Sequence, residues 1–115
     1  MTADLSALIA RLEAGPVYLT HKEAYDLAIF FGSDTALGMA SLIRKAFAGG
    51  SLDAALALAE RVLPGKEWML VKSTEGGETS FHALIGPDSL GRAGEAASAA
   101  LALCIAILRA KQGEG

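Results

Sequence analysis

The chain has 115 residues, 52% of them apolar and 20% charged, with a formal net charge of −3. That length favours one domain, able to bury about two-thirds of its unfolded surface, and the composition excludes a disordered chain. No run of Lys and Arg follows the spacing of a phosphate backbone, which argues against a nucleic-acid-binding surface.

The opening stretch, MTADLSALIARLEA, holds an acidic residue and lacks the apolar centre of a signal peptide. Asp4 to Ala14 reads as a short amphipathic helix with Leu5, Leu8, Ile9 and Leu12 on one face, stopped by Gly15-Pro16. Thr20-His21-Lys22-Glu23 is a capping-box pattern. The helix it opens, His21 to Phe31, stacks Ala24, Leu27, Ala28 and Phe31, while Tyr25, Ile29 and Phe30 point to a second contact surface. Gly32 ends it, and Ser33-Asp34 are placed to cap a third helix striped by Ala36, Met39, Ala40, Ile43, Ala46 and Phe47. Arg44 and Lys45 fall in its last turn, where cations suit the helix dipole. After Gly49-Gly50, Ser51 caps a fourth helix, Leu52 to Leu63, with an expected buried face of Leu52, Ala55, Leu56, Ala59, Val62 and Leu63.

Beyond the Pro64-Gly65 turn the period falls to two. Lys66 to Ser73 places Trp68 and Leu70 on one side and Met69 and Val71 on the other. Thr74 to Glu78, around Gly76-Gly77, reads as a hairpin loop. The return strand, Thr79 to Gly86, places Phe81, Ala83 and Ile85 opposite His82 and Leu84. Apolar residues on both faces of both strands imply helices covering the sheet from two sides. Gly86 to Gly94, GPDSLGRAG, reads as irregular.

Gly94 to Lys111 is the most apolar and most periodic segment. As a helix it gathers Ala97, Ala100, Leu101, Cys104, Ile107 and Leu108 on one face. The opposite strip carries Glu95, Ser98, Ala99, Ala102, Ala106 and Arg109. The charge-free run from Ala96 to Leu108 falls well short of the ~20 residues of a membrane span, so a buried core helix is expected. The fold class is α+β over residues 1–115: four N-terminal helices, a small antiparallel hairpin sheet, and a long apolar C-terminal helix, with the sheet packed between helices.

SLDAALALAERVLPGKEW (Ser51–Trp68), a hairpin, and ASAALALCIAILRA (Ala97–Ala110) together resemble small proteins of alphaproteobacterial phages and prophages. That group is similar to the phage ABA sandwich domain, a small sheet between helices. The glycine and tryptophan of its strand start are spaced out here, as Gly65-Lys66-Glu67-Trp68. The likeness is strongest over residues 51–110 and looser over RLEAGP and YDLAIFFG. It implies a fold and a phage setting, hence a bacterial host cytoplasm, and no activity or site residues.

The residues themselves offer few sites. Cys104, the single cysteine, allows no internal disulfide and sits mid-helix among apolar neighbours, so an inert core thiol is expected. His21 and His82 have no companions at metal-ligand spacing, and no nucleophile motif accompanies His82. No cofactor is implied. Trp68 and Phe81 are candidates to stack across the hairpin within the core. Gly86, Ser89, Gly91, Arg92 and Gly94 form the candidate ligand site: glycines admit an anion to backbone N–H groups, and Arg92 can clamp a phosphate. Asp88 and Glu95 oppose it, and a plain strand-to-helix connection competes with it.

Ala99, Ala102 and Ala106 are the candidate self-association strip, small enough for close approach by one of the chain's own helices or by a second subunit. The leading expectation is a non-enzymatic phage or prophage accessory protein, homo-oligomeric, contacting a host or phage protein, host defence being one such setting, with no nucleic acid and no membrane. The rival is sequestration of a small anionic ligand such as a nucleotide at the Gly86–Gly94 loop.

Overall fold

The computed structural model describes residues 5–32, 36–48, 51–65, 67–85, 93–96 and 98–114. Four helices come first: α1 (Leu5–Ala14), α2 (His21–Phe30), α3 (Ala36–Phe47) and α4 (Leu52–Val62). Strands β1 (Trp68–Glu75), β2 (Glu78–Ile85) and β3 (Ala93–Ala96) follow, and α5 (Ala99–Glu114) comes last. The fold is α+β, with an antiparallel sheet ordered β1-β2-β3 and packed against helices.

Local chemistry sets the helix ends. Thr20 and Glu23 close a full capping box: Glu23 N–H donates to Thr20 Oγ1 at 3.1 Å, and Thr20 N–H donates to Glu23 Oε1 at 3.0 Å. Those bonds favour the ionised carboxylate and hold the Glu23 pKa below its ordinary value, with Arg11 adding to the effect. Ser51 caps α4 by accepting from Ala54 N–H at 3.1 Å. The proposed Ser33-Asp34 cap of α3 lies outside the described residues. The α4 face is rotated from its expected position. Ala54, Ala55, Leu58, Ala59 and Val62 are buried, whereas Leu52 is exposed and Leu56 half-buried. Leu58 and Ala59 sit near the centre of the buried arc, so a stripe anchored on Leu52 starts one step too early.

Gly76 and Gly77 form a two-residue turn with φ of 59° and 86°. Two successive left-handed residues match the twist of a hairpin, and glycine takes that conformation without a Cβ clash. The register pairs Trp68 with Ile85 and Lys72 with Phe81. Trp68 and Phe81 therefore stand four positions apart along the ladder, roughly 13 Å, and do not stack. Trp68 is also no core residue, being 43% exposed.

The fold departs most from expectation around residue 94. Ala93–Ala96 is a strand paired with β2, Phe81 opposite Ala96 and Ala83 opposite Gly94, and the helix begins at Ala99, five residues after its expected start at Gly94. Ser98 lies just before its first turn, with its carbonyl accepting from Ala102 N–H at 2.9 Å. From Ala100 to Leu108 every side chain of α5 is buried. Strands β2 and β3 and helices α1, α3 and α4 surround it. A segment with apolar or small residues at every position has no side that prefers water, so enclosure on all sides is its low-energy arrangement.

Gly94 makes a very close contact in this core. A Cβ built there would overlap the Ala102 carbonyl oxygen and would lie 2.8 Å from Ala106 N and 2.9 Å from Ile105 Cβ. Strand and helix thus meet backbone to backbone, which only glycine on one side and alanines on the other allow. The expectation of helices over both sheet faces needs correcting in the same region. The α5 side carries Leu70, Phe81, Ala83, Ile85 and Gly94, while Met69 and Val71 on the opposite face are 55% and 41% exposed.

Candidate interaction surface

Both outer strands of the sheet flank β2; β3 packs closely against α5 and also touches α1, whereas β1 is far less covered. Among the described residues, β1 has β2 on one side and no strand on the other. It runs for eight residues and touches α5 only lightly. An edge of that length presents a row of outward N–H and C=O groups, which natural sheets guard with charge, proline or a bulge. Here the guard is thin. Trp68, Met69 and Val71 are all exposed, and Lys72 is the one cation within the strand.

Helix α2 exposes a second apolar group, Tyr25, Ile29 and Phe30. The Phe30 and Phe31 rings lie 5.9 Å apart, tilted by 56°. That face offers side chains alone, because the helix satisfies its own backbone. Strand β1 offers both apolar side chains and a backbone edge, so it is the stronger candidate for a docking surface.

On the open sheet face, His82 Nε2 lies 3.1 Å from Glu95 Oε2, across the β2–β3 ladder. Reading Glu95 as helical concealed this partner in the sequence; a four-residue strand was the missing signal. The imidazole and carboxylate are both well exposed. Ser80 shares the His82 face two residues away, and among the described residues no hydrogen bond links a serine to His82. Among the described residues the pair lacks the nucleophile and enclosure that acyl-transfer chemistry needs.

A further polar locus lies at the far end of the helical layer. Tyr18, Leu19, Ser41, Arg44, Lys45 and Ala48 line an open groove of about 360 Å³. Arg44 Nε donates to the Leu19 carbonyl at 3.2 Å, and Nη1 lies 3.1 Å from each ring nitrogen of His21. A backbone bond 25 residues away in sequence thus fixes the guanidinium at the rim, beside an exposed lysine and a tyrosine that is 77% exposed. The crease between α4 and the sheet, lined by Ala59, Leu63, Trp68 and Ile85, holds only about 10 Å³, room for a single water.

The sequence-derived ligand site divides. Gly86, Ser89, Gly91 and Arg92 lie outside the described residues. Gly94 is buried against α5, where its missing side chain admits the helix backbone and leaves no space for an anion. The self-association strip is also corrected. Ala102 and Ala106 are fully buried and face the chain's own β3, with half-buried Ala99 at the helix start. Small residues do permit a close approach there, and the approaching element is a strand of the same chain.

Burial raises the Cys104 pKa far above its ordinary range by penalising the thiolate, so the thiol is inert. Among the described residues no group of three or more His, Cys, Asp or Glu is placed to hold a metal ion. No described helix is long and apolar enough to cross a membrane. No protein-family model matches the chain, and no curated protein or solved structure matches it either.

Proposed function

We propose that this chain is a non-enzymatic binding module whose working surface is the β1 edge, acting by protein–protein contact. One observation carries the reading: an eight-residue edge strand that exposes Trp68, Met69 and Val71 beside an unpaired ladder. An extended segment laid along that edge gains main-chain hydrogen bonds, and the alternating side chains select the partner. The likeness of Ser51–Trp68 and Ala97–Ala110 to small phage and prophage proteins suggests the setting, a bacterial cytoplasm where an accessory protein meets a host or phage protein. A photoreactive residue replacing Val71 should form a discrete adduct in a bacterial extract, and one replacing the exposed Arg61 on α4 should not. No adduct from position 71, or equal adducts from both positions, would remove the reading.

A second reading has its own support. The Arg44–Lys45 groove places two cations, the Tyr18 hydroxyl and the Ser41 hydroxyl around one opening in a chain of net charge −3. This arrangement suits a small phosphorylated ligand. If it binds one, a nucleotide panel should raise the melting temperature of the wild type, and Lys45→Ala should lose most of that shift. A panel without effect on the wild type would eliminate this reading.

A further inference from the structure

The β1 edge is self-complementary in one register, and we infer that its occupant is a second copy of this chain, paired antiparallel about Leu70. The inference rests on the edge reading above and names a second copy of this chain, rather than a host or phage protein, as what covers the edge.

Two copies related by a two-fold axis perpendicular to the sheet keep their helices on the same face. Directly opposed residues in an antiparallel ladder point to one face, so the axis must pass through a residue of β1 rather than between two residues. That leaves a short set of registers to compare. Centring on Val71 puts Glu67 against Glu75 of the second copy, a like-charge pair, and Met69 against Ser73. Centring on Lys72 opposes two lysines. Centring on Met69 sets Glu67 against Val71.

Centring on Leu70 has none of these conflicts. Leu70 meets Leu70 of the second copy beside the helical layer, and Met69 meets Val71 on the open face, apolar against apolar. Trp68 meets Lys72 of the second copy, an ammonium against an exposed aromatic face. Glu67 meets the neutral Ser73. Both copies then join one six-stranded antiparallel sheet, ordered β3-β2-β1-β1-β2-β3, with all helices on one side. The three exposed apolar side chains of β1 gain partners at once, and the bare ladder closes.

Sedimentation and cross-linking test this directly. The wild type should sediment at high concentration with twice the monomer mass of 11.8 kDa. Met69→Lys and Val71→Glu should each weaken the dimer about tenfold or more, a change of about 1.4 kcal/mol or above. Both positions are exposed in the single chain, so circular dichroism should still show the wild-type fold, and the melt should differ only as far as loss of the dimer lowers it. The double variant Met69→Lys/Val71→Glu should recover the dimer, because the new lysine then faces the new glutamate of the second copy, twice. A register centred on Val71 would oppose the two glutamates and give no recovery.

Leu70→Cys should form an interchain disulfide on mild oxidation, since opposed Cα atoms lie roughly 4.5–5.5 Å apart. Val71→Cys should not, being offset by two residues. A monomeric wild type, single variants that leave the dimer intact, or preferential cross-linking of Val71→Cys would overturn the inference. A monomeric wild type whose position-71 probe still captures a different protein would overturn the dimer alone and leave the edge reading standing.

Discussion

Strands β1 and β3 flank the same central strand, and their surroundings are opposite. Strand β3 is four residues of AGEA, weak by any strand propensity, yet it lies against α5 so closely that Gly94 leaves no room for a methyl group. Strand β1 is eight residues rich in strand formers, and it is mostly exposed. Intrinsic preference and burial run against each other on the two edges. The weaker strand owes its place to tertiary contact, while the stronger one stands on the β-hairpin and keeps its outer side available. That division separates the edge where the fold is fixed from the edge proposed above for partner binding.

The largest effect should come from Ala102→Glu. Its side chain would enter a fully buried position against β3, and an unpaired buried carboxylate is costly enough to compete with a domain stability of only ~5–15 kcal/mol. Loss of the cooperative melt is expected, and a folded variant would break the claim that this strip is internal. Next comes Gly94→Ala. The added Cβ meets helix backbone, which cannot swing aside, so about 3 kcal/mol should be lost in urea unfolding. A loss below about 0.5 kcal/mol would show that strand and helix are less closely joined than described. The smallest effect should be on β1: Val71→Lys is expected to change stability by no more than ~0.5 kcal/mol while weakening binding at the edge. If it melted as early as Gly94→Ala, both edges would be structural and the contrast between them would fail.

What the sequence disclosed follows the same division. The Thr20–Glu23 capping box, the Ser51 cap and the Gly76-Gly77 turn are local devices whose partners lie within a few residues, and each reads directly from the chain. The alternation that sorted Trp68 and Leu70 from Met69 and Val71 also matches the pairing register. Strand β3 was not legible, because Gly94-Glu95-Ala96 continues a helical pattern and only long-range partners, the ladder with β2 and the contact with Ala102 and Ala106, make it a strand. Missing it hid the His82–Glu95 pair and misplaced Gly94 in a ligand loop. The open face was concealed for a different reason. Apolar residues on both sides of a strand read as burial, whether the covering layer belongs to the same chain or to another. The groove at Arg44 depends on Leu19 and His21, more than twenty positions away, and no spacing rule joins them.

The position of α5 in the chain also has a consequence for synthesis. The helix that fills the core is encoded after every element it supports, so α4 cannot finish packing until residue 108 has left the ribosome. At roughly 5–20 residues per second, the roughly 45 residues between Val62 and Leu108 take about 2–9 s to translate. During those seconds the nascent chain carries Leu58, Ala59 and Val62 without the helix that covers them. The apolar surface open to chaperones and proteases at that stage is surface that the mature fold buries.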